Sequence, residues 1–373
     1  MAVIERRFAW WQHAWRRVGV FDAPLLAILL VLATLSLMTI YSAGYDYPGR
    51  FQAHLRNLAL AFAVMWLVAN VSPQWLMRSA VPLYVVGLAL LIGVALFGEV
   101  NKGARRWLHI GITRIQPSEL MKIAMPLMLA WYFARREGAL KAVDFLVAGV
   151  ILIVPTLLIA RQPDLGTALL VAGAGIYVIF FAGLPWKVIA AGAAVALAAL
   201  PVMWNFLMHD YQKQRVLTLI DPTSDPLGKG FHIIQSTIAV GSGGLWGKGW
   251  MRGTQTHLEF IPERTTDFIF AVYAEEFGLV GSLALLTVYL ALITRALMIS
   301  ARGATLFMRL LAGSMGMIFF TYAFVNIGMV IGVLPVVGVP LPLMSYGGTA
   351  MVTLGLGAGL LMSIQRHRKL VQT

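Results

Sequence analysis

The sequence predicts an all-α polytopic membrane protein of about ten transmembrane helices with both termini cytoplasmic, and three observations carry that reading. Of 373 residues, 59% are hydrophobic and only 12% charged. Soluble domains carry about 25% charged residues, so a single aqueous core cannot hide this much apolar surface. Apolar runs of the roughly 20 residues that a spanning helix needs recur along the whole chain. Lys and Arg gather between alternate runs, as cytoplasmic loops require.

Taken in order, the runs lie near 22–43, 55–71, 80–98, 117–134, 144–160, 165–183, 186–208, 268–294, 307–331 and 346–364. Arg6, Arg7, Arg16 and Arg17 precede a full-length apolar run with no small-residue cleavage site, which reads as a retained first span. With that end inside, Arg78, Arg135, Arg136, Lys141, Lys187, Arg295, Arg302, Arg309, Arg366, Arg368 and Lys369 are also cytoplasmic. The chain reads as a single membrane domain with cytoplasmic ends at 1–21 and 365–373 and a long external segment at 209–267. Phe231, Ile233, Ile234, Trp246 and Trp250 make that segment too apolar for disorder, so it is expected to lie partly folded on the membrane domain.

The formal charge of +13 follows from the cytoplasmic bias and does not indicate nucleic acid. With no cysteine, disulfides and thiolate metal sites are excluded. The seven histidines show no metal spacing, and no nucleophile elbow is present. Gly241–Gly249 resembles a nucleotide loop until Ser242 and Gly249 are set against the P-loop pattern, and it reads as a flexible glycine turn.

The charge rule fails outside. Lys102, Arg105, Arg106 and Arg114 fall in the external loop 99–116, and Lys213, Arg215, Lys229, Lys248, Arg252 and Arg264 in the external segment 209–267. Cations there oppose the insertion bias, and an anionic ligand is the simplest cause.

Four motifs at the outer ends of spans are candidates, because charges and prolines in lipid are costly. In Gln116-Pro117-Ser118-Glu119 with Lys122, the acid and the lysine share a helix face, as a structural ion pair or as part of a site. In Gln162-Pro163-Asp164, the aspartate either caps the next helix or lines a cavity. Asp267, with Glu275 and Glu276 deeper in its helix, is either a cap or, if Thr265 or Thr266 caps instead, free to react. Ser345, in Pro340–Gly348, is either a cap or a polar contact beside Asn326 of the preceding helix. Each motif opens a helix from outside, so four positive dipole ends face one side and favour an anion such as diphosphate.

Gly103-Ala104-Arg105-Arg106-Trp107, Gln116–Glu119, Gln162–Thr167, Thr266–Phe270 and Ser345–Gly348 resemble motifs of the SEDS (shape, elongation, division and sporulation) family, in order along nearly the whole chain. Leu334–Pro340 looks like its elongation branch. The resemblance implies a peptidoglycan glycosyltransferase that polymerises lipid II outside the membrane and releases undecaprenyl diphosphate. It implies Asp267 as the essential residue, read as a general base, with Arg105, Arg106, Lys122 and Arg215 neutralising the diphosphate. A divalent cation (Mg or Mn) is a possible aid. Glu119 would orient Lys122, Asp164 would line the cavity, and Asn326 and Ser345 would contact substrate. The expected partners are a class B penicillin-binding protein transpeptidase and the rest of the elongation machinery. The rival readings are a lipid II flippase, whose polar groups should reach through both leaflets, and a non-catalytic scaffold.

Overall fold

The computed structural model describes residues 21–101, 104–110, 113–136, 140–162, 164–208, 210–225, 228–258, 260–261 and 263–369. The basic segment ahead of Phe21, Lys102, Gly103, Pro163, Pro262 and the last four residues lie outside the described residues, as do the side chains of Arg105, Arg114 and Lys229.

A helix lies on each of the ten apolar runs. In the first half these are α1 (Ala23–Ala43), α2 (Arg50–Ala69), α3 (Pro73–Phe97), α4 (Pro117–Ala134), α5 (Ala142–Ala160), α6 (Leu165–Phe181) and α7 (Trp186–Val202). Three shorter helices follow, α8 (Asp210–Ile220), α9 (Lys229–Ser242) and α10 (Thr254–His257). The last three long ones are α11 (Ile269–Ala301), α12 (Leu306–Val330) and α13 (Gly348–Arg366). Among the described residues, eight helices are long and apolar enough to cross a membrane. The other two are α4, which carries Glu119 and Lys122, and the 17-residue α6.

Three helices outrun the expected ranges. Helix α2 begins at Arg50, and α3 begins at Pro73, a residue preorganised for a first turn. Helix α11 runs on to Ala301 because Arg295 finds a partner: its Nε and Nη2 meet the two carboxylate oxygens of Asp22 at 2.9 and 2.5 Å. The same carboxylate caps α1 by accepting from Leu25 N at 3.0 Å. The loop 99–116 forms a three-stranded antiparallel meander of β1 (Glu99–Asn101), β2 (Ala104–Ile110) and β3 (Thr113–Ile115). Its Trp107, Leu108, Ile110 and Thr113 are strand formers, a local preference the motif search passed over.

The apolar windows of α12 and α13 are each 61% buried whereas that of α7 is wholly unburied, so the former pair lies at the centre of the bundle. Helix α4 is buried along most of its length and packs on α3, α6 and α12. Helix α13 packs closely on α2 through Gly355 and Gly359, where an added Cβ would lie 2.5 Å from Ala61 O and 2.7 Å from Met65 O. Small residues four apart let helix backbones approach in lipid, where packing replaces the hydrophobic drive.

Helix α11 is broken at Gly278, whose φ of 66° and ψ of −163° leave the helical region. A break frees main-chain groups that hydrocarbon cannot satisfy. Here the glycine-rich segment satisfies them: Lys248 N donates to Glu275 O and Gly249 N to Glu276 O, each at 3.0 Å. Leu279 N and Val280 N in turn donate to Gly244 O and Leu245 O at 2.9 and 3.1 Å. Gly241–Gly249 is therefore an ordered plug and not the flexible turn expected. Glu275 holds the plug's far side, accepting from Lys248 Nζ at 2.7 Å, Gln255 N at 2.9 Å and Thr254 Oγ1 at 3.1 Å. Glu276 accepts from Ser42 Oγ and, at 3.2 Å, from Met251 N.

Two predictions follow from these pairs. Glu275→Ala leaves Lys248 without its carboxylate and should lower the unfolding free energy by about 3 kcal/mol, read by denaturation in detergent micelles, with Glu275→Gln falling between. Burial pushes the Asp22 carboxyl up, but the Arg295 guanidinium and the Leu25 N–H outweigh it and hold the group below its ordinary value. A depressed carboxylate adds stability above its unfolded pKa, about 3.9, which is lost as pH falls through the folded value. The thermal-stability advantage of wild type over Asp22→Asn should therefore be full near neutral pH, begin to fall near about pH 4 and be lost only once the pH has dropped through the lower folded value.

Candidate active site

Helix α11 starts at Ile269 with Phe268 as its N-cap and no side-chain capping bond. Neither Asp267 nor the two threonines caps it. Asp267 stands one residue earlier, half-buried, in a turn closed by Thr266 N and Phe268 N donating to Glu263 O at 3.0 and 3.3 Å. Glu263 holds this turn with a positive φ of 55°.

The turn is clamped from three sides. Asn326 of α12 donates through Nδ2 to Asp267 O at 2.9 Å and to Val339 O at 2.7 Å. Both partners are carbonyls, which fixes the orientation of the amide. Ser345 Oγ donates to Thr266 O at 2.6 Å and accepts from Leu341 N at 2.8 Å. Tyr346 N donates to Thr265 O at 2.8 Å. Asn326 and Ser345 are buried, and these hydrogen bonds to main chain hold the turn in place. Nor does Ser345 cap α13, whose N-cap is Gly347.

A second polar group gathers at the heads of α4 and α6. Lys122 Nζ meets Glu119 Oε1 at 2.6 Å, and Glu119 Oε2 accepts from Thr353 Oγ1 of α13 at 3.1 Å. The ammonium also lies 5.4 Å from the centre of the Tyr322 ring. Asp164 takes the first of the two roles the sequence allowed and also binds side chains of the preceding segments. It caps α6 by accepting from Thr167 N at 3.2 Å, and its other oxygen receives Gln116 Nε2 at 3.2 Å with Arg106 Nε 3.9 Å away.

The α12–α13 connection joins the two groups. A Cβ at Gly166, two residues beyond Asp164, would lie 2.7 Å from Val337 Cγ1, and one at Gly338 would lie 3.3 Å from Asp267 Oδ2. Gly338 has a φ of 80°, which suits glycine, so no side chain intrudes on the carboxylate there. One end of the bundle thus carries a carboxylate on a clamped turn, next to two cations held by acids. Arg215 is half-buried on α8, which packs on α9 and the 222–224 turn.

Two of the cations that the sequence reading assigned to the outer segments have internal partners. Lys248 is paired with Glu275, and buried Arg264 bonds Asp46 and donates to Ala43 O at 2.9 Å. Their internal acids explain them without a ligand. Sequence reading missed Thr353, Tyr322 and His232, whose ring stacks on Phe268 with centroids 5.6 Å apart. None lies in a charged motif, and only the packing of α9, α12 and α13 reveals them.

These features define a class, a multi-pass helical membrane protein with a carboxylate on a clamped turn near two acid-paired cations at one end. Residues 20–370 match the family model FTSW_RODA_SPOVE, described as cell cycle protein, and the chain belongs to that family. It is 51% identical over 357 residues to the peptidoglycan glycosyltransferase MrdB of Escherichia coli K12, covering 96% of each chain. It is 32% identical to the peptidoglycan glycosyltransferase RodA of Treponema pallidum, over 95% of this chain and 99% of the relative. Among solved structures, a chain of a peptidoglycan synthase complex superposes with a TM-score of 0.81 at 34% identity, covering 95% of this chain and 99% of that one. RodA of Thermus thermophilus superposes at 0.71 with 29% identity, over 93% and 97%. The same RodA has also been solved as an aspartate-to-alanine mutant. The protein is a multi-pass inner-membrane protein of this family.

Asn326→Leu keeps the volume but leaves two buried carbonyls without a donor, at about 1–3 kcal/mol each. The variant should melt well below wild type in detergent, whereas Asn326→Asp, which cannot donate to either carbonyl, should not restore it.

Proposed function

We propose that the chain is a peptidoglycan glycosyltransferase that polymerises lipid II during cell elongation, with Asp267 as general base at the periplasmic face. The observation that carries this reading is the clamped turn: three main-chain bonds hold Thr265–Asp267 beside Gly338, with the Arg106 and Lys122 group across the α12–α13 connection.

In the proposed step, Asp267 takes the proton from the 4-hydroxyl of the acceptor N-acetylglucosamine as that oxygen bonds to the anomeric carbon of the donor N-acetylmuramic acid. The anomeric C–O bond breaks, and its electron pair leaves with undecaprenyl diphosphate. Protonated Asp267 then returns its proton to water. A carboxylate can do this when within hydrogen-bond reach of the hydroxyl. Diphosphate needs no proton to leave if its charge is neutralised, so one carboxylate serves where glycosidases use two. Lys122 and Arg106 supply positive charge, with Glu119 and Asp164 fixing their positions. Arg105 of β2 and Arg215 of α8 are further candidates for the diphosphate. Among the described residues, no group of three or more His, Asp or Glu is placed to hold a metal ion.

Membership of a synthase complex by the solved relative supports a crosslinking partner here, which we assign to a class B penicillin-binding protein transpeptidase. Purified protein with that partner should make glycan from lipid II. Asp267→Asn should lower the rate by about 10²–10⁴, the usual share of a general base, with melting temperature retained. Full activity of a folded Asp267→Asn would overturn the base assignment, while wild type that moves lipid II across vesicles without making glycan would favour the flippase.

A further inference from the structure

A concavity of about 260 Å³ lies where α1 gives way to α2, lined by Tyr41, Tyr45, Tyr47, Phe51, Gln52 and Met251 among others. Its aromatic walls all come from residues 41–51, and Met251 joins them from just past the plug. Tyr41 contacts Phe51 edge-on at 5.5 Å and lies 5.7 Å from the ring of Trp250, the residue next to Met251. Tyr41, Tyr45 and Tyr47 are 50%, 44% and 41% exposed, so large parts of their rings remain open.

The concavity is wired to the Asp267 turn. Arg264, three residues before Asp267, donates to Ala43 O, bonds Asp46, and lies 5.4 and 5.1 Å from the Tyr45 and Tyr47 ring centres. Arg50 lies between Tyr47 at 4.9 Å and Tyr346 at 4.3 Å, and Tyr346 N holds Thr265. Two arginines, through four contacts with tyrosine rings, thus join the pocket rim to the turn that presents the carboxylate.

The chemistry of the lining selects the ligand. The lining itself carries no charge, the Arg264 guanidinium is taken by an acid and a carbonyl, and that of Arg50 lies over the rings of Tyr47 and Tyr346, which disfavours an anion. Phenol hydroxyls and the Gln52 amide disfavour a hydrocarbon tail. What remains is a neutral polyol whose rings offer C–H faces to aromatic walls and hydroxyls to a polar edge. The volume falls just below the roughly 300–1,000 Å³ of drug-sized pockets and suits a single ring. An interfacial aromatic belt, the other use of tyrosine and tryptophan in membranes, would not require the walls to converge on a concavity tied to the reactive turn.

We propose that this pocket is a saccharide subsite that grips a sugar of the glycan strand beside the Asp267 turn. The proposal rests on the glycosyltransferase reading and names Tyr41 and Gln52 as strand-holding residues outside the reacting atoms. The test uses full-length protein in nanodiscs, with an N-acetylglucosamine tetrasaccharide as probe and tryptophan fluorescence as readout. The probe should quench wild type and Asp267→Ala alike, and Trp250→Phe should abolish the signal. Tyr41→Ala and Gln52→Ala should weaken probe binding by about tenfold. With lipid II they should shorten the glycan several-fold while leaving the rate of the first bond unchanged. No probe binding to wild type, or unaltered chain length in Tyr41→Ala, overturns the subsite. Variants that only melt earlier in bilayers, with chain length intact, assign the rings to the membrane interface and overturn it too. Probe binding by wild type that makes no glycan would sink the glycosyltransferase reading and leave the saccharide site standing.

Discussion

Hydrocarbon leaves no main-chain polar group unpaired, and the two ends of the break in α11 show how this chain meets that constraint. The helix stops being regular at Gly278, and the plug Gly243–Gly249 supplies donors and acceptors to the strands of chain on either side. Glu275 and Glu276 then tie the plug to Thr254–Thr256 and to Ser42 of α1. Ahead of the helix, Asn326, Ser345 and Tyr346 do the same for the turn bearing Asp267. Irregular backbone persists in this fold only where other elements complete it, and the carboxylate stands on one such stretch.

The electrostatic arrangement follows from the same packing. Cations that the insertion bias would place on the other side of the membrane divide into two sets. Arg264 and Lys248 serve architecture, each joined to an acid of another segment. Arg106 and Lys122 are also paired, but with Asp164 and Glu119 at helix heads, where positive dipole ends add to their field. An anion approaching that end meets charges already fixed in position, which is the condition for stabilising a departing diphosphate without reorganisation.

Much of the site was legible in residues. Asp267, Glu119, Lys122, Arg106 and Asp164 stood out because charge is rare in this chain, at 12%. Their assembly was not legible, since Gly166, Val337, Gly338 and Asp267 come together only through the path of the α12–α13 connection. Asn326 and Ser345 were visible as polar residues near the right place, yet their hydrogen-bond partners are main-chain groups, which no side-chain pattern encodes. Glu275 and Glu276 were noticed as buried charge, but their partners lie about 20 to 30 residues earlier in sequence, or across the fold on α1.

The chain by itself determined the solvent it folds in, the ten helical runs and the family to which its motifs belong, because span length and charge cost are properties of local sequence. The tertiary structure decided which charges face a ligand and which hold the fold, and that a glycine run is a plug and not a flexible turn. It also decided that the 99–116 loop is a sheet. These outcomes depend on where unpaired backbone and charge find partners across the bundle, and such partners are distant in sequence and set only when the helices pack.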